Sequence, residues 1–465
     1  MLRERYEKDK LFEAVASLRV QMEPELAQID AILDDAKLFS LVKQDLERRY
    51  PKTKVTGRPS TPVEVILRML VVKHLYGLSY RQTEYYTNDS MVLRLFTRLY
   101  YEQAPDSTTL VRWAKIIGPE TLKAVNAEVT KIAASLKLTR GRKLRIDGTL
   151  VETNIHSPSD NSLLADGVRV LSRLIRRAKP LLEGEVAQVK AVFRDRTRSG
   201  KRLAREIASR SREGAERAKA SYERLLAVTR ASVRQAKVVL VHLGELGSSE
   251  AKGLADQLMV FVGRVEQVIR QTKRRVFEQE QVPAGEKLVS LFEPHTCIIK
   301  RGKAGKETEF GRKVWLDEVD GGLVSDWRLL PGNAPDQKQW RPSLDNHVRQ
   351  FGKPPGQASA DRGVYSPENE AYAWSLGVKR VILPQPGHKS KERCQYERQP
   401  WFQRGRHYHA GVEGRISVLK RKHKLGRCLN HGEEGLERWL GFGIIAANLA
   451  VIGRSLAKRA QARAA

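Results

Sequence analysis

Cysteine is scarce in this chain. Cys297, Cys394 and Cys428 stand far apart with no CxxC pair, which excludes a zinc ribbon and a disulfide framework and fits a reducing compartment. Long apolar runs are also missing. The longest uncharged stretch, residues 439–453, is interrupted by Gly and Asn and is too short to span a bilayer, so it reads as a buried helix. The opening MLRERYEKDK is too charged for a signal peptide, and no repeat or low-complexity tract occurs. Acids are outnumbered: 54 Asp and Glu face 84 Lys and Arg, for a net charge of +30 and a pI near 10.1. With 41% hydrophobic residues the chain can build proper cores, so the excess points to a polyanionic partner, nucleic acid before a membrane surface. At roughly 150 residues per domain, 465 residues imply two to four domains.

What is present falls into blocks. Residues 1 to 138 read as short helices with clear punctuation. In TPVEVILRMLVVKHLYGLS, Thr61 is expected to cap, Pro62 to open the helix, Glu64 to complete a capping box and Gly77 to stop it. Ser79 and Gln82 predict a second capping box, a third helix follows Asn88, and Asp106 or Ser107 caps a fourth that carries Arg112. Such spacing suggests a helix-turn-helix bundle.

Period-two alternation begins at Lys143. KLRIDGTLVETNI reads as a strand around Asp147, and KLVSLF, TCIIK, KVWLDEV and LVSDWRLL read as further strands, the last two joined by a hairpin at Asp320-Gly321-Gly322. In GQASADRGVYSPENEAYAWSLGVKRVILP the pattern gives a loop at Asp361, a helix opened by Ser366 and Pro367, and a buried strand from Val378 to Leu383. Residues 408 to 454 read as helical, and 455–465 as a basic tail. Between the strand blocks, residues 166–285 are helix-forming and read as an antiparallel helical arm; 190–237 alone hold 15 Lys or Arg against 5 Asp or Glu. The basic face of this arm is expected to meet a nucleic-acid backbone.

Three acids remain once the arm is set aside: Asp147 at the first strand, Asp361 after a later segment, and Glu413, the single carboxylate in the basic run GVEGRISVLKRKHKLGR. Carboxylates so placed are candidate ligands for two Mg²⁺ ions about 3.5 to 4 Å apart, which need bridging oxygens. Asp336 in PGNAPDQ competes with Asp361 for the second position.

At this point the segments GRPSTPVEVILRMLVVKHLYGLSYRQTEYYTNDSMVLRLFTRL, PDSTTLVRW, LRIDGTLVETNI, EFGRKVWL, ADRGVYSPEN and GVEGRISVLKRKHKLGR, in that order, resemble the DDE transposases of bacterial insertion sequences, in the insertion sequence 5 group or its close unclassified relatives. The resemblance covers about residues 57–165 and 286–450. It implies an α/β (α+β) multidomain protein: a helical N-terminal domain (1–138) that binds transposon ends, a ribonuclease H-like catalytic domain (139–165 and 286–454), and a helical insertion (166–285) splitting it. It further implies Asp147, Asp361 and Glu413 as catalytic residues and Mg²⁺ ligands, with Mn²⁺ able to substitute.

The partners implied are double-stranded DNA, as terminal inverted repeats and target, and further copies of the chain as a homodimer or higher oligomer, with no membrane and a cytoplasmic, nucleoid-associated location. Expected DNA contacts are Arg58, Arg81 and Arg112 in the first domain and Arg362, His409, Arg415, Lys420 and Arg421 near the acids. The family signature around its glutamate runs tyrosine, two residues, arginine, three residues, glutamate, six residues, lysine. Lys420 satisfies the last interval, whereas His409 stands in place of arginine and Arg406 in place of tyrosine. His407 and His409, without cysteine partners, read as exposed DNA contacts rather than zinc ligands. The expected reaction is hydrolysis at the element's ends followed by attack of the freed 3′-OH on target DNA. The competing readings are a repressor or architectural factor with an inactive catalytic domain, and an RNA-binding protein.

Overall fold

The computed structural model describes residues 21–48, 60–182, 194–210, 215–300 and 308–464, with scattered positions before residue 21. Two compact units emerge, Met1–Glu152 with Arg312–Ala465, and Thr153–Gly311.

In the first unit, helices α1 (Pro24–Leu33), α2 (Ala36–Glu47), α3 (Val63–Leu75), α4 (Tyr80–Asp89), α5 (Met91–Thr97), α6 (Ser107–Ile116) and α7 (Pro119–Ser135) precede strand β1 (Lys143–Glu152). Local chemistry sets their ends. Ser79 and Gln82 make the expected capping box of α4, Asp106 caps α6 through the amides of Thr108 and Thr109, and Gly77 sits at φ +64° just past α3. The start of α3 differs from expectation: Pro62 is the cap, without a side-chain bond, and Glu64 is buried. Its carboxylate is taken by Arg68, which donates from Nε to Glu64 Oε1 at 3.0 Å and from Nη1 to Asp30 Oδ1 at 2.7 Å. A buried guanidinium outbids a surface cap, because leaving it unpaired costs more than a cap contributes.

The expected boundary at residue 138 does not separate two cores. One cluster runs from Leu26 through Val65 and Val129 to Ile146, Leu323 and Ile452. Buried Asn126 of α7 and Asn448 both donate to the carbonyl of Val324, and Asn448 Nδ2 also donates to Asn126 Oδ1 at 2.8 Å. Asn448 lies on α16 (Glu433–Ala464), the helix expected from the uncharged run. It continues through the expected basic tail, where Arg459 donates to the carbonyls of Leu136 and Lys137. Among the described residues, Glu433–Arg463 is long and apolar enough to cross a membrane, but 78% of its apolar window is buried in the protein.

The fold class is mixed α/β, with parallel and antiparallel pairs in one sheet. β3 (Thr308–Val319) and β4 (Leu323–Leu329) form the expected hairpin, with Gly321 and Gly322 at φ +87° and +75°. β5 (Gln357–Ser359) lies parallel to both β1 and β6 (Arg380–Ile382). The sequence reading missed β5, three residues with no β-branched side chain. Between these strands stand α12 (Trp340–Phe351) and α13 (Pro367–Ser375), and α14 (Lys391–Arg398) and α15 (Pro400–Arg421) follow. The C-terminal helical block is therefore two helices, α15 and α16, broken after residue 421.

The second unit is helical: α8 (Asp160–Ala178), α9 (Thr197–Arg210), α10 (Ala215–Glu245) and α11 (Ser249–Val276) enclose their own core of Leu171, Leu203, Leu225 and Leu258. It starts earlier than the expected 166–285, since α8 opens at Asp160, and ends later, since it includes β2 (Cys297–Lys300), which pairs with the first residues of β3. KLVSLF is not a strand. Gln271 of α11 takes both backbone groups of Leu288, so this apolar segment lies against helices instead of joining a sheet.

Candidate active site

The register of β1 against β5 decides the position of two acids. Arg145 is paired with Ser359, so two residues further along, Asp147 in the middle of β1 and Asp361 just past the carboxyl end of β5 stand at the same level. The carboxyl ends of strands are where open α/β sheets bind ligands. The chain turns immediately after Asp361 into a short 3₁₀ segment, Arg362–Val364, which leaves the Asp361 carboxylate exposed.

Helix α15 supplies the third acid. Arg406, His409 and Glu413 follow at i, i+3 and i+7 and so share a face. Two glycines allow the helix to lie close to the sheet. A Cβ at Gly405 would come within 2.4 Å of Ile382 on β6, and one at Gly411 within 2.4 Å of the Arg145 guanidinium. Arg145 and Glu318 hold it there. Glu318 of β3, 1% exposed, accepts from Arg145 Nε at 2.8 Å and Nη2 at 2.7 Å, and from Arg415 Nε at 3.4 Å, while Arg145 Nη1 donates to the Tyr408 carbonyl at 2.6 Å. Sequence reasoning missed this buried clamp. A partial signal was available in Arg145, two residues before Asp147 and so on the same strand face.

Asp147, Asp361, Glu413, His409, Arg362 and Arg406 line one cleft of about 260 Å³. Burial, reinforced by the negative charge of Asp361, pushes the Asp147 carboxyl up to about 6, against an opposing bond from the Gly148 amide. Asp361 goes the other way. Its Oδ1 lies 3.0 Å from His409 Nε2, and that hydrogen bond holds its carboxyl below the usual range. An ionised carboxylate can only accept, so Nε2 carries the proton.

His409 is thus buried behind Asp361, not exposed as expected. Arg415 is also drawn inward, onto Glu318. Arg362 and Arg421 are exposed, Arg421 donating from Nε to Ser417 Oγ at 2.8 Å, and Lys420 is half-buried. Asp336, the competing acid, pairs with Lys313 Nζ at 2.5 Å, although its charge also raises Asp147. Arg81 and Arg112 lie exposed on α4 and α6, away from the cleft lining, and Arg58 falls outside the described residues.

Three hard oxygen donors in one cleft, two of them close enough to perturb each other, form a donor set suited to a divalent cation. Among the described residues no three His, Cys, Asp or Glu side chains close to ligand spacing around a single point.

A family model described as Transposase domain (DUF772) matches residues 15–115. The match spans α1 to α6 and stops before β1, so it covers none of the three acids. It points to a transposition-related function for the chain. No curated protein and no solved structure matches it.

Proposed function

We propose that the chain is a DDE transposase that cleaves DNA at the ends of its element and joins the freed 3′-OH to target DNA. The observation that carries the reading is the meeting of Asp147, Asp361 and Glu413 in one cleft beside the carboxyl end of β5 in a mixed sheet, in a chain whose first helices match a transposase domain. The order of strands around β1 and the glutamate on a helix packed over them support a ribonuclease H-like reading of this unit.

Asp147, Asp361 and Glu413 would hold Mg²⁺, which supplies activation of the attacking oxygen and charge stabilisation at the leaving oxygen in each in-line phosphoryl transfer. His409 fixes the orientation of Asp361. Arg362 and Arg406, flanking the acids, bind the phosphates on either side of the scissile bond and so position it. The Glu318 clamp sets the depth of Glu413 by anchoring α15.

The test uses purified chain and a plasmid carrying the gene with its natural flanks. Strand breaks at the flanks that require Mg²⁺ or Mn²⁺, and that Glu413→Gln abolishes, are the expected result. Tight duplex binding without metal-dependent breakage would instead identify a repressor or architectural protein.

A further inference from the structure

The second unit carries many cations, and the structure separates those already neutralised from those that are not. On the outer face of α8, Arg169 pairs with Asp166 and Arg176 with Asp195, while Arg177 Nη1 donates to the neutral amide of Gln257 and keeps its charge. On α9 the arrangement differs. Arg198, Lys201, Arg202 and Arg205 fall at i, i+3, i+4 and i+7, all exposed, and among the described residues none has an ion pair or hydrogen bond. The neighbouring acid, Glu206, is held by Ser221 Oγ, Arg210 and Arg224, and the charge of Arg202 acts on it from one helical turn away without an ion pair. Arg196, close in sequence, is not part of this stripe: it turns inward to Gln235.

We propose that this face of α9 is a second DNA-binding surface, one that grips the backbone of a duplex without reading its bases. The proposal rests on the transposase reading for the identity of the polyanion. Four like charges along about 10 Å of helix repel one another unless counterions or a polyanion sit over them. The stretch faces roughly three phosphates of one strand at about 3.4 Å each.

The rest of the helix argues against other anionic partners. Its apolar residues Leu203 and Ile207 are buried in the bundle, and the exposed neighbours Ala208 and Ser209 are small. A membrane-surface helix would instead expose large apolar residues beside its cations. No aromatic side chain occurs on α9, so unpaired bases would find no stacking platform.

The experiment measures, on the full chain, the salt dependence of binding to a short random-sequence duplex. R198Q/K201Q/R202Q/R205Q should make the slope of log Kd against log salt shallower by about 3. The charge-preserving R198K/R202K/R205K should keep the wild-type slope. If the fourfold variant melts early, R198Q/R202Q carries the same test with an expected change of about 1.8. An unchanged slope in the neutralised protein overturns the assignment, and so does stronger binding to phosphatidylserine vesicles or to single-stranded RNA than to the duplex. A wild-type chain that still makes metal-dependent breaks while the neutralised slope is unchanged sinks only the α9 surface. A wild-type chain that ignores duplex DNA at every salt concentration sinks the transposase reading with it.

Discussion

His409 Nε2 lies 3.0 Å from Asp361 Oδ1, one helical turn before Glu413 on the same face of α15. Helix and sheet edge are therefore joined at the acid that the sheet register sets beside Asp147. Replacing His409 by Ala should free the Asp361 carboxylate to rotate and reduce metal-dependent strand cleavage by roughly 10- to 100-fold, the range for losing a residue that orients a ligand. His409→Asn, which keeps a donor, should recover part of it. Equal losses in both variants would mean that His409 matters only for packing.

Asp147 carries an unfavourable burden without a cation. Its folded carboxyl sits at about 6, above the ordinary value near 3.9. The unfolded chain therefore loses this proton first, and the contribution of Asp147 to stability falls as pH rises from about 4 to 6, by up to about 3 kcal/mol. Asp147→Asn should melt higher than wild type at pH 7.5 in EDTA. Adding Mg²⁺ or Mn²⁺ should raise the wild-type melting temperature and leave the variant unmoved. A metal response of equal size in both proteins contradicts a ligand role for Asp147.

Two buried histidines predict acid lability. Burial lowers His347, whose Nε2 lies 3.0 Å from the Gly141 carbonyl, to about 4, and lowers His423 to about 4 as well. Below about 6.5 the unfolded chain binds protons that the folded chain refuses, so the contribution of these histidines to stability should drop as pH falls from 6.5 toward 4, against the opposing contribution of Asp147. Urea midpoints at pH 7 and pH 5 measure the drop, and His347→Gln should shrink it.

The clamp should be costly to break. Glu318→Ala strands the guanidiniums of Arg145 and Arg415, both mostly buried, and should cost about 3 to 5 kcal/mol in urea unfolding. Activity should fall further than stability, since α15 loses its anchor. A cost under about 1 kcal/mol would assign the pair to the solvated class.

Three glycines of α15 make an internal comparison. Gly405→Ala and Gly411→Ala each place a methyl 2.4 Å from an existing atom and should destabilise by about 1 to 3 kcal/mol. Gly414→Ala meets nothing within 4 Å and should stabilise by about 0.5 to 1 kcal/mol. Differential scanning calorimetry of the three variants reads both signs.

Short-range chemistry made much of this protein legible from its residues alone. The box at Ser79 and Gln82, the turn at Gly321 and Gly322 and the alternation through β1 depend on neighbours a few positions apart, and the net charge depends on composition alone. Other features were decided by groups far away in the chain. KLVSLF carries a strand pattern, but Gln271 claims its backbone. Glu64 has the spacing of a capping residue but serves Arg68, and His409 looks like an exposed base contact but is buried against Asp361. The separation of the paired Arg residues of α8 from the unpaired ones of α9 has the same origin. Periodicity tells which face a side chain occupies, whereas the partner across that face is set by packing, because a buried charge must be satisfied by whatever the fold brings within reach.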